Sequence, residues 1–473
     1  MNFKLLFIPL FCLLQLNISA QTWLKVSCGT EFSVALRSDS TLWAWGANMN
    51  GQLGIGNLNT VYTPVQIGSD HNWKDIVAAA MHCLALKSDG SLWAWGLNAN
   101  GQLGNAGNTN SSFPVKIGNA TDWEKIYAGQ AHSFSIKTDG SLWAWGYNYS
   151  GQLGDGSHSD KNIPTQLGSN TNWKEISAGG FHTLALKTNG SLWAWGYNGD
   201  GELGDSTTFN DSIPKQIGND TNWTKVSAGF MYSLALKSDG SLWAWGFNGN
   251  GQLGIGANIK SSKTTAELQA VQIGEAVDWK NVIAGSSFAF AIKNDSSLWG
   301  WGYNYYGQLG NGNTVQLDHP VKIGNDNNWK TVAAATGFLY NSAVYGLHSS
   351  GLKYQGSGIC VAGANYIGQL GNGTTTDLNL FDCNTGITGI SEIIPENTLL
   401  VYPNPARDFI SFETPFSGNS LLYIFNSLGK CEIKKQLSIS NNSINIKLLK
   451  QGIYYYQLID DKAKVINGKF LKE

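Results

Sequence analysis

The chain has 473 residues, of which 57 are glycine, 19 are tryptophan and only 14% are charged, with a formal net charge of −2. Average soluble chains carry about 25% charged residues and about 7% glycine. The aromatic content excludes a disordered chain, the missing three-residue glycine period excludes collagen, and the charge balance leaves no electrostatic footprint for nucleic acid.

Residues 1–20 read as a secretory signal peptide. Lys4 supplies the positive start, residues 5–16 the apolar run, and Ile18-Ser19-Ala20 a small-residue end before Gln21. The run is short for a membrane span, and no other segment reaches ~20 apolar residues. The mature chain is therefore expected to be exported, with no membrane span. Cys12 leaves with the signal. Cys28, Cys83, Cys360, Cys383 and Cys431 remain, an odd number, so at least one thiol stays unpaired within the chain.

An internal repeat follows. Leu-Trp-Ala-Trp-Gly begins at Leu42, Leu92, Leu142, Leu192 and Leu242, each step 50 residues. Leu-Trp-Gly-Trp-Gly begins at Leu298, and a degenerate seventh copy, Ile359-Cys360-Val361-Ala362-Gly363, lacks both tryptophans. Single tryptophans stand at Trp23, Trp73, Trp123, Trp173, Trp223, Trp279 and Trp329. In the fourth unit, alternation predicts strands over 173–178, 182–187 and 191–196, and an edge strand over 214–217, where Pro214 is tolerated. Asn189-Gly190 between the second and third strands predicts a two-residue hairpin turn with positive φ. Four short strands per unit, seven times over, point to radial closure rather than a linear solenoid, which would need polar caps.

These units resemble the repeats of the regulator of chromosome condensation family. The resemblance rests on Ala178-Gly179, His182 with Leu184-Ala185-Leu186, Asn189-Gly190, Trp195-Gly196, Asn198 and the Gly201–Gly204 loop, and it covers residues 23–383. It implies an all-β fold, a seven-bladed β-propeller of ~50-residue repeats. The seventh unit departs most, with extra length over 340–358.

After a linker at 384–397, residues 398–473 hold 10 Lys/Arg, 6 Asp/Glu and no tryptophan. Short alternating strands between turn residues predict a small C-terminal β-sandwich. Tyr402-Pro403-Asn404-Pro405, Asp408-Phe409-Ile410, residues 423–430, residues 449–455 and the lysine-rich finish resemble the C-terminal sorting domain of type IX secretion cargo of Bacteroidota. That resemblance implies passage through the type IX machinery, then display at the outer cell surface or release.

Catalytic, cofactor and metal signatures are not found. The Gly-x-x-Gly loops lack the following helix that a phosphate cradle needs. His82, His132 and His182 hold equivalent places and could ligate zinc, but Phe32, Tyr232 and Phe288 fill the same place in sister units, which favours packing. The tryptophan pairs are read as packing between blades rather than a sugar-stacking comb. Cys360 and Cys383 could form a disulfide that staples the aberrant seventh unit; Cys28 with Cys83 is the other pairing open.

Positions that vary between matching units are the candidate ligand contacts: Tyr147, Tyr149, Tyr197, Phe247, Tyr303, Tyr305, Tyr306 and Tyr366, with Phe181, Phe230, Met81 and Met231 after the Ala-Gly step. The fifth-unit insertion over 260–268 is a second contact candidate. The expectation is a non-enzymatic binding propeller for an extracellular protein or glycan. An exported enzyme inhibitor is the alternative. A carbohydrate-active enzyme using Asp155, Asp200 and Asp205, and a nucleotide-exchange factor, are less favoured.

Overall fold

The computed structural model describes residues 22–256, 266–337, 339–340, 343–344, 346–354, 358–383, 400–402, 406–413, 420–426, 430–437, 443–460 and 465–473. The signal segment, the linker, residues 260–265 of the insertion, and residues 403–405 and 427–429 of the tail motifs lie outside them. The chain divides into two compact units, residues 1–390 and 391–473.

The first unit contains seven four-stranded antiparallel meanders, which we call blades 1 to 7 in chain order. Blade 4 shows how the sequence builds one. Its strands are Trp173–Ala178, Asp211–Gln216 at the rim, and His182–Lys187 and Leu192–Gly196 between. The second strand is buried along its whole length, because neighbouring blades cover both of its faces. The rim strand begins three residues before Pro214, and Ile217 lies beyond it, so the predicted edge strand was placed too late. All six of its residues are half-buried or exposed, which is why alternation located this strand poorly.

The hairpin between the second and third strands also differs from expectation. Lys187 N donates to Ser191 O (3.2 Å) and Gly190 N to Lys187 O (2.9 Å), closing a three-residue loop in which only Gly190 takes positive φ (79°). Asn189 has another task. Its Oδ1 accepts from Ser191 N and from Ser191 Oγ (2.7 Å), and Ser191 Oγ accepts from Trp193 Nε1 (2.9 Å). The Asn or Asp of these turns therefore orients the first tryptophan of each pair, a role served by local side-chain bonding rather than a left-handed backbone.

Adjacent blades meet in seven apolar clusters, one per seam. At the seam of blades 3 and 4, Phe134, Leu142 and Leu153 pack on Trp173, Ile176 and Trp195. Trp195 is fully buried, and its Nε1 donates back to the Gln152 carbonyl of blade 3 (2.9 Å). Gly154 leaves room for it, since a Cβ there would stand 2.7 Å from that Nε1. The half-buried Trp193 meets Trp173 edge-on at 5.9 Å, with Lys187 Nζ 3.7 Å from the Trp193 ring. Such pairs and cation contacts contribute on the order of 1 kcal/mol each. The same arrangement recurs from Trp45 to Trp301.

The ring closes on itself. Trp23, Val26 and Trp45 of blade 1 share a cluster with Leu352, Val361 and Leu370 of blade 7, so no solenoid end is left. Rim strands are also protected. Gly156 N of blade 3 donates to Ser212 O of blade 4 (2.8 Å), and Gly373 N of blade 7 donates to Tyr62 O of blade 1 (2.9 Å). A loop from each neighbour thus covers what would be an open edge.

Blade 7 compensates for its missing tryptophans. Its extra length forms a hairpin, Leu339–Tyr340 with Ala343–Val344, before the second strand His348–Lys353. Phe381 of its rim strand occupies the space beside Gly310 that a tryptophan fills beside Gly154, and packs on Trp329 at 5.0 Å. Cys360 and Cys383 are joined in a disulfide. Cys28 and Cys83 are free and buried, Cys83 pointing its thiol at the Gln52 carbonyl (3.6 Å), so the other pairing does not occur.

The second unit pairs two sheets around a shared core. Leu400–Tyr402, Phe409–Glu413 and Ser443–Asn445 form one sheet, and Ser420–Phe425, Cys431–Leu437, Gly452–Asp460 and Val465–Lys472 the other. Ile410 and Ile444 from the first pack with Leu422, Ile424, Leu458 and Phe470 from the second, as a β-sandwich requires.

Candidate binding face

The blades expose two ends. One carries the hairpins between second and third strands, with Asp-Gly or Asn-Gly turns in blades 2 to 5 and Asp-Ser in blades 1 and 6. The other, here the loop face, carries the connections from first to second strand and from third strand to rim strand. Leu97 N donating to Met81 O (2.9 Å) and Tyr197 N to Phe181 O (2.8 Å) hold these two connections side by side.

The longer loops are rigid by construction. In blade 3, the buried Asn148 accepts from Leu153 N at Oδ1 (2.9 Å) and donates through Nδ2 to Asp155 Oδ1 (3.0 Å) and Ser157 O (3.0 Å). Gln152 Oε1 accepts from Ser150 N (2.9 Å). Asn198, Asn304 and Asn365 repeat the Asn bond to their own loops. The side chains on these loops are therefore presented from a preformed frame, which lowers the ordering cost of binding.

All eight predicted contact residues lie on this face, in two groups and some isolated members. Tyr147 and Tyr197 both lie edge-on to Phe181, at 6.1 Å and 6.5 Å, and Phe181 meets Phe230 at 5.6 Å. Tyr303 and Tyr305 form a second pair at 4.9 Å. Tyr149 and Tyr305 are the most exposed, at 75% and 63%. Tyr306 and Phe247 stand at their own loops, and the Tyr366 hydroxyl donates to the Glu31 carboxylate. Phe181 is the hub that the sequence reading named without ranking. The signal was its place between two units that both carry tyrosine after Trp-Gly.

Phe230 also lines the mouth of the central channel, with Gln130, Gly180, Gly229 and Thr336. Deeper in, the first strands enclose a cavity of about 370 Å³ lined by Lys25, Asp75 and Lys125 among others. Lys25 pairs with Asp75 at 2.6 Å, and Lys125 Nζ donates to Lys174 O (2.9 Å).

The histidines serve the frame. His82 Nε2 lies 2.9 Å from Ser133 Oγ, and His182 Nε2 lies 3.0 Å from Ser233 Oγ, each across a seam. These hydroxyls donate to the Gln102 and Glu202 carbonyls, so they accept from the imidazole N–H. Burial pushes His82, His132, His182 and His348 down to about 3, which keeps them neutral. His348 is the blade 7 member that the sequence reading missed. It stands 15 residues before Gly363, against 14 for His82 and Gly96, and this near-match was the available signal. No cluster of three metal-ligating residues occurs among the described residues.

Among the candidate acids, Asp155 and Asp205 are tied to Lys161 (3.1 Å) and Lys215 (2.7 Å) and brace their own loops. Asp200 lies beside Glu202, whose Oε2 accepts from Asp200 N (2.9 Å). Glu202 is fully buried, burial pushes its carboxyl up to about 8, and its Oε1 meets no partner. Glutamine holds this place in the other six units.

Residues 13–275 match the RCC1-like domain, residues 279–308 and 295–339 match the regulator of chromosome condensation (RCC1) repeat, and residues 400–473 match the secretion system C-terminal sorting domain. The ultraviolet-B receptor UVR8 of Arabidopsis thaliana is 31% identical over 109 residues, 23% of each chain. Protein RCC2 of Homo sapiens is 35% identical over 100 residues, 21% of this chain and 17% of that one. The chain thus spans under a quarter of the length of these relatives. Among solved structures, yeast RCC1 (Prp20) in its complex with Kap60 is similar, with a TM-score of 0.64 at 19% identity over 80% of this chain and 87% of that one. Human WBSCR16 superposes with a TM-score of 0.62 at 18% identity, over 72% and 93%.

Proposed function

The chain belongs to the family of RCC1-like domains, and from that premise we propose that it is an exported binding propeller whose loop face holds an extracellular protein or glycan. The observation that carries this reading is the Phe181 cluster. Phe181 joins rings from three adjacent blades on one face, and those rings vary where the frame beneath them repeats. Packing alone does not require it, because Ala47 and Ala364 serve after Trp-Gly or its counterpart in blades 1 and 7. Aromatic anchors on a rigid frame bind with little loss of conformational freedom.

The sorting domain at 400–473 supports export through the type IX machinery, with the propeller displayed at the cell surface or released. A non-enzymatic role agrees with Asp155 and Asp205, two of the three candidate acids, being engaged in their own loops. Affinity capture from native culture tests the proposal. The chain should retain a specific partner, and Phe181→Ala with Tyr197→Ala should lose it while still folding. Retention of the same partner by that double variant would remove the loop face from consideration.

A further inference from the structure

The loop face has a charge pattern that the frame does not demand. Its connections carry Glu31, Asp155, Asp160, Asp200, Glu202, Asp205 and Asp377, and no lysine or arginine among the described residues; Lys260 and Lys263 lie outside them. The basic residues concentrate toward the opposite end, where Lys87, Lys137 and Lys237 close the second strands against Asp70, Asp122 and Asp220. Five of the seven acids fall on blades 3 and 4, the blades that carry Tyr147, Phe181 and Tyr197.

Within that group, Asp155 and Asp205 have lysine partners, whereas among the described residues Asp160 and Asp200 join no ion pair, and Asp160 accepts from Asn148 N (2.8 Å) and Asn100 Nδ2 (2.9 Å). Asp160 lies within electrostatic reach of Tyr147, and Asp200 with Glu202 within reach of Tyr197. Glu202 is a second and separate anomaly. Glutamine makes the same loop bond through its Oε1 in blades 2, 3 and 5, so the fold gains nothing from an acid here. In blades 2, 3, 6 and 7 the glutamine leaves its Nε2 unpartnered at this place, so what sets blade 4 apart is that its enclosed group is an acid, whose charge is costly to bury.

We propose that the loop face over blades 3 to 5 takes a cationic protein segment, with lysine or arginine side chains seated between its aromatic rings and the carboxylates of Asp160 and Asp200. This rests on the loop face being the binding surface and names what it holds. Rings beside unpaired carboxylates suit a cation twice over, through the ring face and through charge. A neutral glycan would need the rings but not the surplus acid. The excess of acids over bases on the described connections of this end would also speed encounter with a basic partner.

The test uses the full chain titrated with three probes: hexalysine, hexaglutamate and cellohexaose. Hexalysine should bind, weaken as salt rises, and weaken roughly fivefold or more in Asp160→Asn with Asp200→Asn. Asp70→Asn with Asp122→Asn, on the hairpin face, should leave binding within about twofold. Equal losses in the two double variants would overturn the proposal, as would failure of hexalysine to bind. Cellohexaose binding that is lost in Phe181→Ala with Tyr197→Ala would also overturn it, while leaving the loop face as the binding surface. Circular dichroism and tryptophan emission confirm that each variant is folded.

Discussion

His348 Nε2 of blade 7 lies 3.0 Å from Ser33 Oγ of blade 1, across the seam that closes the ring and 315 residues away in sequence. Ser33 donates to the Gln369 carbonyl (3.1 Å), so its oxygen accepts from the imidazole. Ser33→Ala would strand a buried N–H and should cost about 1–3 kcal/mol. Replacing both, as His348→Phe with Ser33→Ala, should recover most of that loss, because blade 1 already sets Phe32 in the same cluster as Cys83 at the equivalent seam. A double-mutant cycle by chemical denaturation measures the coupling. Additive losses would show that the contact contributes nothing to closure.

Four enclosed histidines make the propeller acid-labile. The unfolded chain takes up protons near 6.5, whereas the folded sites refuse them until about 3. More protons are bound unfolded in that window, so stability is complete above 6.5 and falls as pH drops through it. Each site contributes at most roughly 1.4 kcal/mol per pH unit. His182→Phe should flatten the dependence, since Phe288 fills the same place in blade 6. Unfolding midpoints taken at about pH 7.5 and about pH 5 read the slope directly. An unchanged slope in His182→Phe would place the acid sensitivity elsewhere.

The repeat was legible because the second tryptophan of each pair is fixed twice, by its strand and by a carbonyl on the preceding blade. Trp195 cannot move without losing Gln152, so its spacing is written into the chain. The turn type was not legible, because Asn189-Gly190 satisfies both a two-residue and a three-residue hairpin, and only the backbone bond from Lys187 N to Ser191 O, with positive φ at Gly190 alone, separates them. The rim strand was misplaced for the opposite reason: it is half solvated, so little alternation marks it. The seam contacts are invisible locally, since His182 and Ser233 come together only through ring closure. The importance of Glu202 was hidden by its likeness to glutamine, a one-atom difference that matters only once the site is known to be enclosed.

Blade 7 holds its place with a different set of contacts, and these can be separated. Phe381 is half-buried against Trp329 and Phe290. Phe381→Ala should cost about 2–3 kcal/mol, below the loss for a fully buried phenylalanine. Cys360→Ser with Cys383→Ser should cost about 2–4 kcal/mol, and a reductant should reproduce that loss in the native chain. Thermal unfolding with and without dithiothreitol distinguishes the two. If reductant leaves the transition where it was, closure depends on the apolar seam alone.

Glu202 gives the prediction with the clearest sign. A carboxyl that ionises near 4.5 in the unfolded chain but near 8 in the folded one keeps its proton across that interval. More protons are bound in the folded state, so stability falls as pH rises from 4.5 to 8 and then levels. This runs opposite to the histidines, overlaps them between 4.5 and 6.5, and acts without them from 6.5 to about 8. Glu202→Gln supplies the side chain of the six sister loops and removes the titrating group. It should stabilise the chain by about 1–3 kcal/mol near pH 8 and abolish the decline. Gln152→Glu in blade 3 should import the same decline, because Gln152 is equally enclosed and bonds Ser150 N in the same way. Denaturation profiles of the three chains across this range decide the matter. A Glu202→Gln chain that is less stable than the parent, or that keeps its alkaline decline, would mean that the carboxyl finds a partner on ionising and is not an unsupported acid in a glutamine site.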